Sequence, residues 1–198
     1  RYDVLRARAV ILSDVGRYDE ALKVNAQAIM LNPRLAVTHF ERALYALQLG
    51  DFNTATTEYF TVLSHNAGNV KARLRLCEVS TLLRETDKAE RYCGEVTQLA
   101  PAWADGWYRL GREYFLQGDF AAAQGALNRC TTLQNGQGIT PDARHFDCWY
   151  LQGQSAERLG DCESLRRIYE DAQTWITRTS QALMWVYPPE GPCAGSAP

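Results

Sequence analysis

The chain has 198 residues, 46% of them hydrophobic and 22% charged, with a net charge of −2. That is the composition of an ordinary folded domain. The near-neutral balance excludes the basic footprint of a nucleic-acid binder, and no apolar run reaches the roughly 20 residues that cross a bilayer.

In chain order, helical periodicity predicts ten helices, over 2–15, 18–31, 36–49, 52–65, 70–83, 86–99, 104–117, 120–133, 142–159 and 162–177. The first pair meets at Gly16 and the second at Gly50, 34 residues on. The third turn falls at Arg84, where the glycine is lost, and the fourth and fifth at Gly118 and Gly160. Glycine ends a helix because it tolerates positive φ, and the Asp or Asn that follows caps the next one. An aromatic residue, Tyr18, Phe52 or Phe120, plugs each closed end, and a small one, Ala21, Ala55, Ala89 or Ala123, follows three positions later. Small residues also precede each turn by seven positions, at Ala9, Ala43, Cys77 and Gly111. Pro33 and Pro101 close their units. Between the fourth and fifth turns the spacing stretches to 42, and Gln134–Asp142, with Gly136, Gly138 and Pro141, reads as an inserted loop. Ser180–Tyr187 is apolar enough to cap the stack, leaving 1–187 as the repeat domain and 188–198 as a Pro/Gly-rich tail.

This pattern resembles the tetratricopeptide repeat, most fully in the fourth copy through Trp107, Leu110, Gly111, Tyr114, Gly118, Phe120 and Ala123. His39 and Arg73 depart from it where the fourth and fifth copies have Trp107 and Trp149. The resemblance implies an all-α, right-handed α-solenoid of about five helical hairpins over residues 2–177. The first helix of each hairpin then lines a concave surface.

Helical spacing selects the residues on that face. Phe40, Leu44 and Leu47 come from the second copy, Leu74 from the third, Tyr108, Arg112 and Phe115 from the fourth, and Tyr150 and Arg158 from the fifth. An apolar surface with Tyr and Arg anchors suits a protein partner presenting a peptide or a helix. The competing reading packs Phe40, Leu44 and Phe115 between adjacent first helices. Some relatives clamp a chaperone C-terminal carboxylate with basic residues, which Lys71, Arg75 and Arg6 resemble here. Val10 and Glu41 occupy the places of the asparagines, and Glu41 repels a carboxylate, so that clamp is rejected.

No convergent polar set suggests catalysis, a metal or a cofactor. His39 falls in a core column, His65 ends a helix, and His145 stands three residues from Cys148 without an oxyanion site nearby. Gly-Gln-Gly in the insertion lacks the lysine of a phosphate loop. The expected function is a non-catalytic interaction scaffold. The alternative is an extracytoplasmic accessory domain of a larger membrane-anchored protein, such as a glycosyltransferase or polysaccharide ligase. This fragment inserts into no membrane directly, and its oligomeric state is left open. Arg1 stands in place of Met, and no leader follows, so the chain reads as a mature form or fragment.

Six cysteines show no CxxC spacing, which argues against zinc. Cys130 and Cys148 fall on helices that neighbour each other in a stack, within reach of a disulfide across 18 residues. Cys77 and Cys93 fall on facing helices of one hairpin, and Cys162 is left with Cys193 on the tail. Oxidised pairs favour a periplasmic or extracellular location; buried reduced thiols in a cytoplasmic protein are the other reading.

Overall fold

The computed structural model describes residues 1–140, 143–176 and 185–196. Among these the regular structure is all helical: α1 (Tyr2–Asp14), α2 (Tyr18–Leu31), α3 (Ala36–Gln48), α4 (Phe52–His65), α5 (Val70–Leu82), α6 (Thr86–Leu99), α7 (Ala104–Gln117), α8 (Phe120–Gly136), α9 (Phe146–Leu159) and α10 (Cys162–Ile176), with a short 3-10 turn at Ala194–Ser196. The chain forms two compact units, Arg1–Tyr92 and Cys93–Pro198, whose boundary falls inside α6.

The turns follow from local chemistry. Gly16, Gly50, Gly118 and Gly160 all take positive φ, between 70° and 81°. Arg84 takes the same left-handed conformation, at φ 57°, alone among the described non-glycine residues. Asp51 and Asp119 cap α4 and α8 by accepting from the N–H groups of Thr54 and Ala122, each at 3.0 Å. Asp161 does the same for Ser164 at the start of α10.

Packing between hairpins repeats one geometry, in which the second helix of one hairpin meets the first helix of the next. Asn25 Nδ2 of α2 donates to the Thr38 carbonyl of α3 at 3.2 Å. A Cβ on Gly106 of α7 would lie 2.7 Å from Val96 of α6, and the Cys130–Cys148 disulfide joins α8 to α9 with Cα atoms 6.1 Å apart. Thr38, Ala72, Gly106 and Cys148 hold one register position in successive first helices, and all four are buried. Within the α7/α8 hairpin, Gly111 lets α8 approach so closely that a Cβ would meet Leu127 Cγ at 2.6 Å.

Two boundaries differ from the sequence expectation. α8 runs one turn further, to Gly136, and α9 begins at Phe146 rather than near 142. Gln134, expected in the loop, is instead fully buried. Its Nε2 lies 3.2 and 3.3 Å from the Cys130 and Cys148 sulfurs, and its Oε1 accepts the His145 N–H at 2.7 Å. Arg144 ties the connection back to α8, donating to the Ile139 carbonyl and to Asn135 Oδ1.

The C-terminal segment is packed rather than loose. Trp185, Tyr187 and Cys193 are buried in the core of the second unit. Trp185 meets Phe146, Tyr150 and Tyr169 edge-on, and its ring fills the space that a Cβ on Gly153 would need. Cys193 is bonded to Cys162, with Cα atoms 5.1 Å apart. Residues 177–184, most of the expected capping stretch, lie outside the described residues.

Candidate functional site: the first-helix faces

In the first unit the face is set by α1, α3 and α5. Phe40 packs edge-on against Tyr59, ring centroids 5.5 Å apart. Leu44 leans on the cluster of Ala9, Leu12, Ala21, Val24 and Tyr45, and Leu47 is half-buried. Leu74, expected on the open face, is 5% exposed and belongs to the interior. Periodicity locates a helix face but not whether a neighbour covers it, and α5 packs against α4. Arg6 donates to both carboxylate oxygens of Glu41, at 2.6–3.0 Å, and Arg75 pairs with Glu78. Two of the three cations that resemble a carboxylate clamp therefore already hold carboxylates of this chain. Glu41 also holds the Arg6 guanidinium above its ordinary pKa, chiefly through that hydrogen bond.

In the second unit α7 and α9 present a continuous face. The Tyr108 hydroxyl donates to Asp147 Oδ2 across the two helices at 3.3 Å. Arg109 lies over the Tyr108 ring, 5.5 Å from its centroid. Burial, and secondarily the Asp147 charge, pushes the Tyr108 phenol above its ordinary pKa. Arg112 and Phe115 lie further along α7, both half-buried, with Phe115 edge-on to Phe120 at 5.5 Å. Tyr150 accepts from Gln154 and is met by Trp185, so the C-terminal segment covers part of its ring. Arg158 is exposed, its guanidinium 5.9 Å from the Phe120 centroid.

Periodicity gave no sign of a second feature, a cleft of about 590 Å³ among α8, α9 and α10. Gln124, Asn128, Thr131, Gln152, Asp161 and Asp171 line it, and hydrogen bonds run among the first five. Gln124 donates to Asp161, Thr131 to Gln152, and Gln152 to Asn128. Its floor Trp149, the expected core residue of the fifth copy, donates to Asp171 at 2.7 Å.

The histidines sit in structural settings. His39 is buried, with Nδ1 2.6 Å from Glu58 and Nε2 2.8 Å from the Pro33 carbonyl. The sulfur of Cys148 is committed to a disulfide, so His145 has no thiol beside it. Cys77 and Cys93 are disulfide-bonded as well. Among the described residues no group of three or more His, Cys, Asp or Glu is placed to hold a metal ion. No described helix is long and apolar enough to cross a membrane.

The sequence profile of the tetratricopeptide repeat matches residues 104–137, the α7/α8 hairpin with its Trp107, Gly111, Gly118 and Ala123. This chain carries a tetratricopeptide repeat at residues 104–137. Solved tetratricopeptide structures superpose over most of its length. MamA of Desulfovibrio magneticus, from residue 41 to its end, aligns with a TM-score of 0.77 at 17% identity, covering 90% of this chain and 97% of that one. A thermophilic TPR protein of Thermus thermophilus aligns at 0.63 and 20% identity, covering 93% and 100%. YrrB, described as a TPR protein with an unusual peptide-binding site, aligns at 0.68 and 17%, covering 91% and 89%. At such identities the likeness is one of fold. No curated protein matches this chain in sequence. His39 and Arg73 lie outside the matched residues, on α3 and α5.

Proposed function

We propose that this tetratricopeptide chain is a non-catalytic scaffold that binds a peptide or helix of another protein on the first-helix face of its second unit. The observation that carries this reading is the Tyr108–Asp147 bond. It joins α7 and α9 into one surface bearing Tyr108, Arg112 and Phe115, with Tyr150 at its edge. Aromatic rings and a guanidinium on a rigid helical support are the side chains that anchor interfaces. In the first unit, Phe40, Leu44 and Leu47 form the corresponding face. The peptide-binding site named for YrrB supports the same class of ligand. The disulfides favour an oxidising, extracytoplasmic setting, and the reading as an accessory domain of a larger membrane-anchored protein rests on them.

The test is selection of peptides from a displayed library on the immobilised 198-residue chain, then titration of the enriched peptide. Arg112→Ala and Tyr108→Ala are each expected to weaken it by about tenfold or more, the effect of losing roughly 1.4 kcal/mol of contact. Wild-type affinity in both variants, with unchanged helicity, overturns the assignment of this face.

A further inference from the structure

The cleft among α8, α9 and α10 opens between two second helices. α8 and α10 each pack against α9, and two cross-bonds bridge the gap between them. At one end Gln124 Nε2 donates to Asp161 Oδ2 at 3.4 Å. At the other Asn135 Nδ2 donates to Asp171 Oδ2 at 3.1 Å. The result is a trough bridged at both ends, roughly 16 Å long at a helical rise of about 1.5 Å per residue. Its volume of about 590 Å³ falls within the ~300–1,000 Å³ of small-molecule sites. Such sites are mostly apolar, and this one is not. Its apolar lining is confined to Ala121, Gly125, Trp149 and Ile168. The first two are small, and Trp149 and Ile168 are only 1% and 8% exposed. No subsite therefore receives an apolar side chain, and a chain laid along the trough meets a bridge at each end. An extended peptide, which relies on such anchors, fits it poorly.

The hydrogen-bonding capacity left in the trough is of both kinds. Asn128, exposed on α8, accepts from Gln152 through Oδ1, and its Nδ2 has no partner among the described residues. Gln152 is 5% exposed; its Nε2 spends one N–H on Asn128 and keeps the other. On the accepting side, Asp171 Oδ2 takes the Trp149 and Asn135 N–H groups. Asp171 Oδ1 and Gln124 Oε1 are unspent among the described residues. A matching ligand offers donors and acceptors over most of its surface, and a hydroxyl group is both at one atom. Charge narrows the class. In the lining, Asp161 and Asp171 outnumber the single guanidinium of Arg167, which donates to Ser164 Oγ. The net negative charge disfavours a phosphate or a carboxylate.

We infer that the trough between α8 and α10 is a binding site for a neutral saccharide of one or two rings, held through its hydroxyls by Asn128, Gln152, Gln124 and Asp171. An array of immobilised saccharides, some neutral, some uronate-bearing and some phosphorylated, probed with the 198-residue chain tests this. Neutral saccharides are expected to retain the protein, and calorimetric titration with the retained saccharide in free form gives its affinity. Gly125→Leu narrows the trough without disturbing the fold, because a Cβ there meets nothing within 4 Å and leucine favours a helix over glycine. Asn128→Ala removes the exposed carboxamide. Each variant is expected to bind about tenfold more weakly or worse, with unchanged helicity. An array that retains no protein overturns the inference, and so does retention confined to the charged saccharides. Neutral-saccharide binding of wild-type strength in both variants places the sugar elsewhere and overturns it as well. Gly125→Leu leaves peptide binding at Tyr108 and Arg112 unaffected, so this site and the proposed function fail separately.

Discussion

At the scale of single residues, backbone conformation and capping do most of the specifying. Arg84 holds a left-handed conformation that the glycines hold at equivalent turns. A Cβ in that region costs roughly 1–2 kcal/mol, offset in part by the lower unfolded-state entropy of a non-glycine residue. Arg84→Gly is therefore expected to raise stability by about 0.5–1 kcal/mol in urea denaturation. Gly118→Ala, with φ at 81°, should lower it by a similar amount. Side-chain and backbone hydrogen bonds from Thr54 and Ser164 hold Asp51 and Asp161 below the ordinary carboxylate range. Both depressed groups stabilise the fold above that range, and their contribution is lost as pH falls through the folded-state values. Asp161→Asn should flatten the acid limb of the stability profile. Tyr108 has the opposite sign: its raised pKa favours the fold below the ordinary tyrosine value, and that contribution is lost as pH rises through the folded one. Ultraviolet titration of Asp147→Asn should show one phenol ionising at lower pH than in wild type.

At the scale of elements, nearly every helix was legible because the 34-residue period, the turn glycines and the small-residue columns all mark the same hairpins. The exception is the α8–α9 connection. Gln134-Asn-Gly reads as loop by composition, yet it forms the last turn of α8. What holds it there lies beyond one helical turn: the amide of Gln134 against the Cys148 sulfur and the His145 N–H, 14 and 11 residues on. Leu74, placed on the open face by helical spacing, is 5% exposed, and spacing along one helix carries no information on burial by another. Close approach between elements makes a sharp prediction at Gly111. With Leu127 Cγ 2.6 Å and its backbone nitrogen 3.2 Å from the added atom, Gly111→Ala must push α7 from α8. It is expected to cost about 1–3 kcal/mol in thermal or denaturant unfolding. Gly153→Ala should act more locally, displacing the Trp185 ring and changing tryptophan fluorescence before it changes helicity.

At the scale of the whole molecule, cross-links set the stability. Closing the loop between Cys130 and Cys148, separated by 18 residues, is expected to contribute about 3 kcal/mol on the chain-entropy view. Cys130→Ala/Cys148→Ala should lower the melting temperature accordingly, even with both alanines fitting the buried sites. Reduction should be ordered: Cys130 and Cys148 are fully buried, whereas Cys162 is half-exposed, so mild dithiol should open Cys162–Cys193 first. Mass spectrometry of alkylated intermediates reads that order. The bond between Cys162 and Cys193, 31 residues apart, also alters what a cut means. A protease that nicks the chain between these two cysteines severs the backbone but not the molecule. The nicked protein would migrate as one species on a non-reducing gel and release a short C-terminal peptide, carrying Cys193, only when thiol is added.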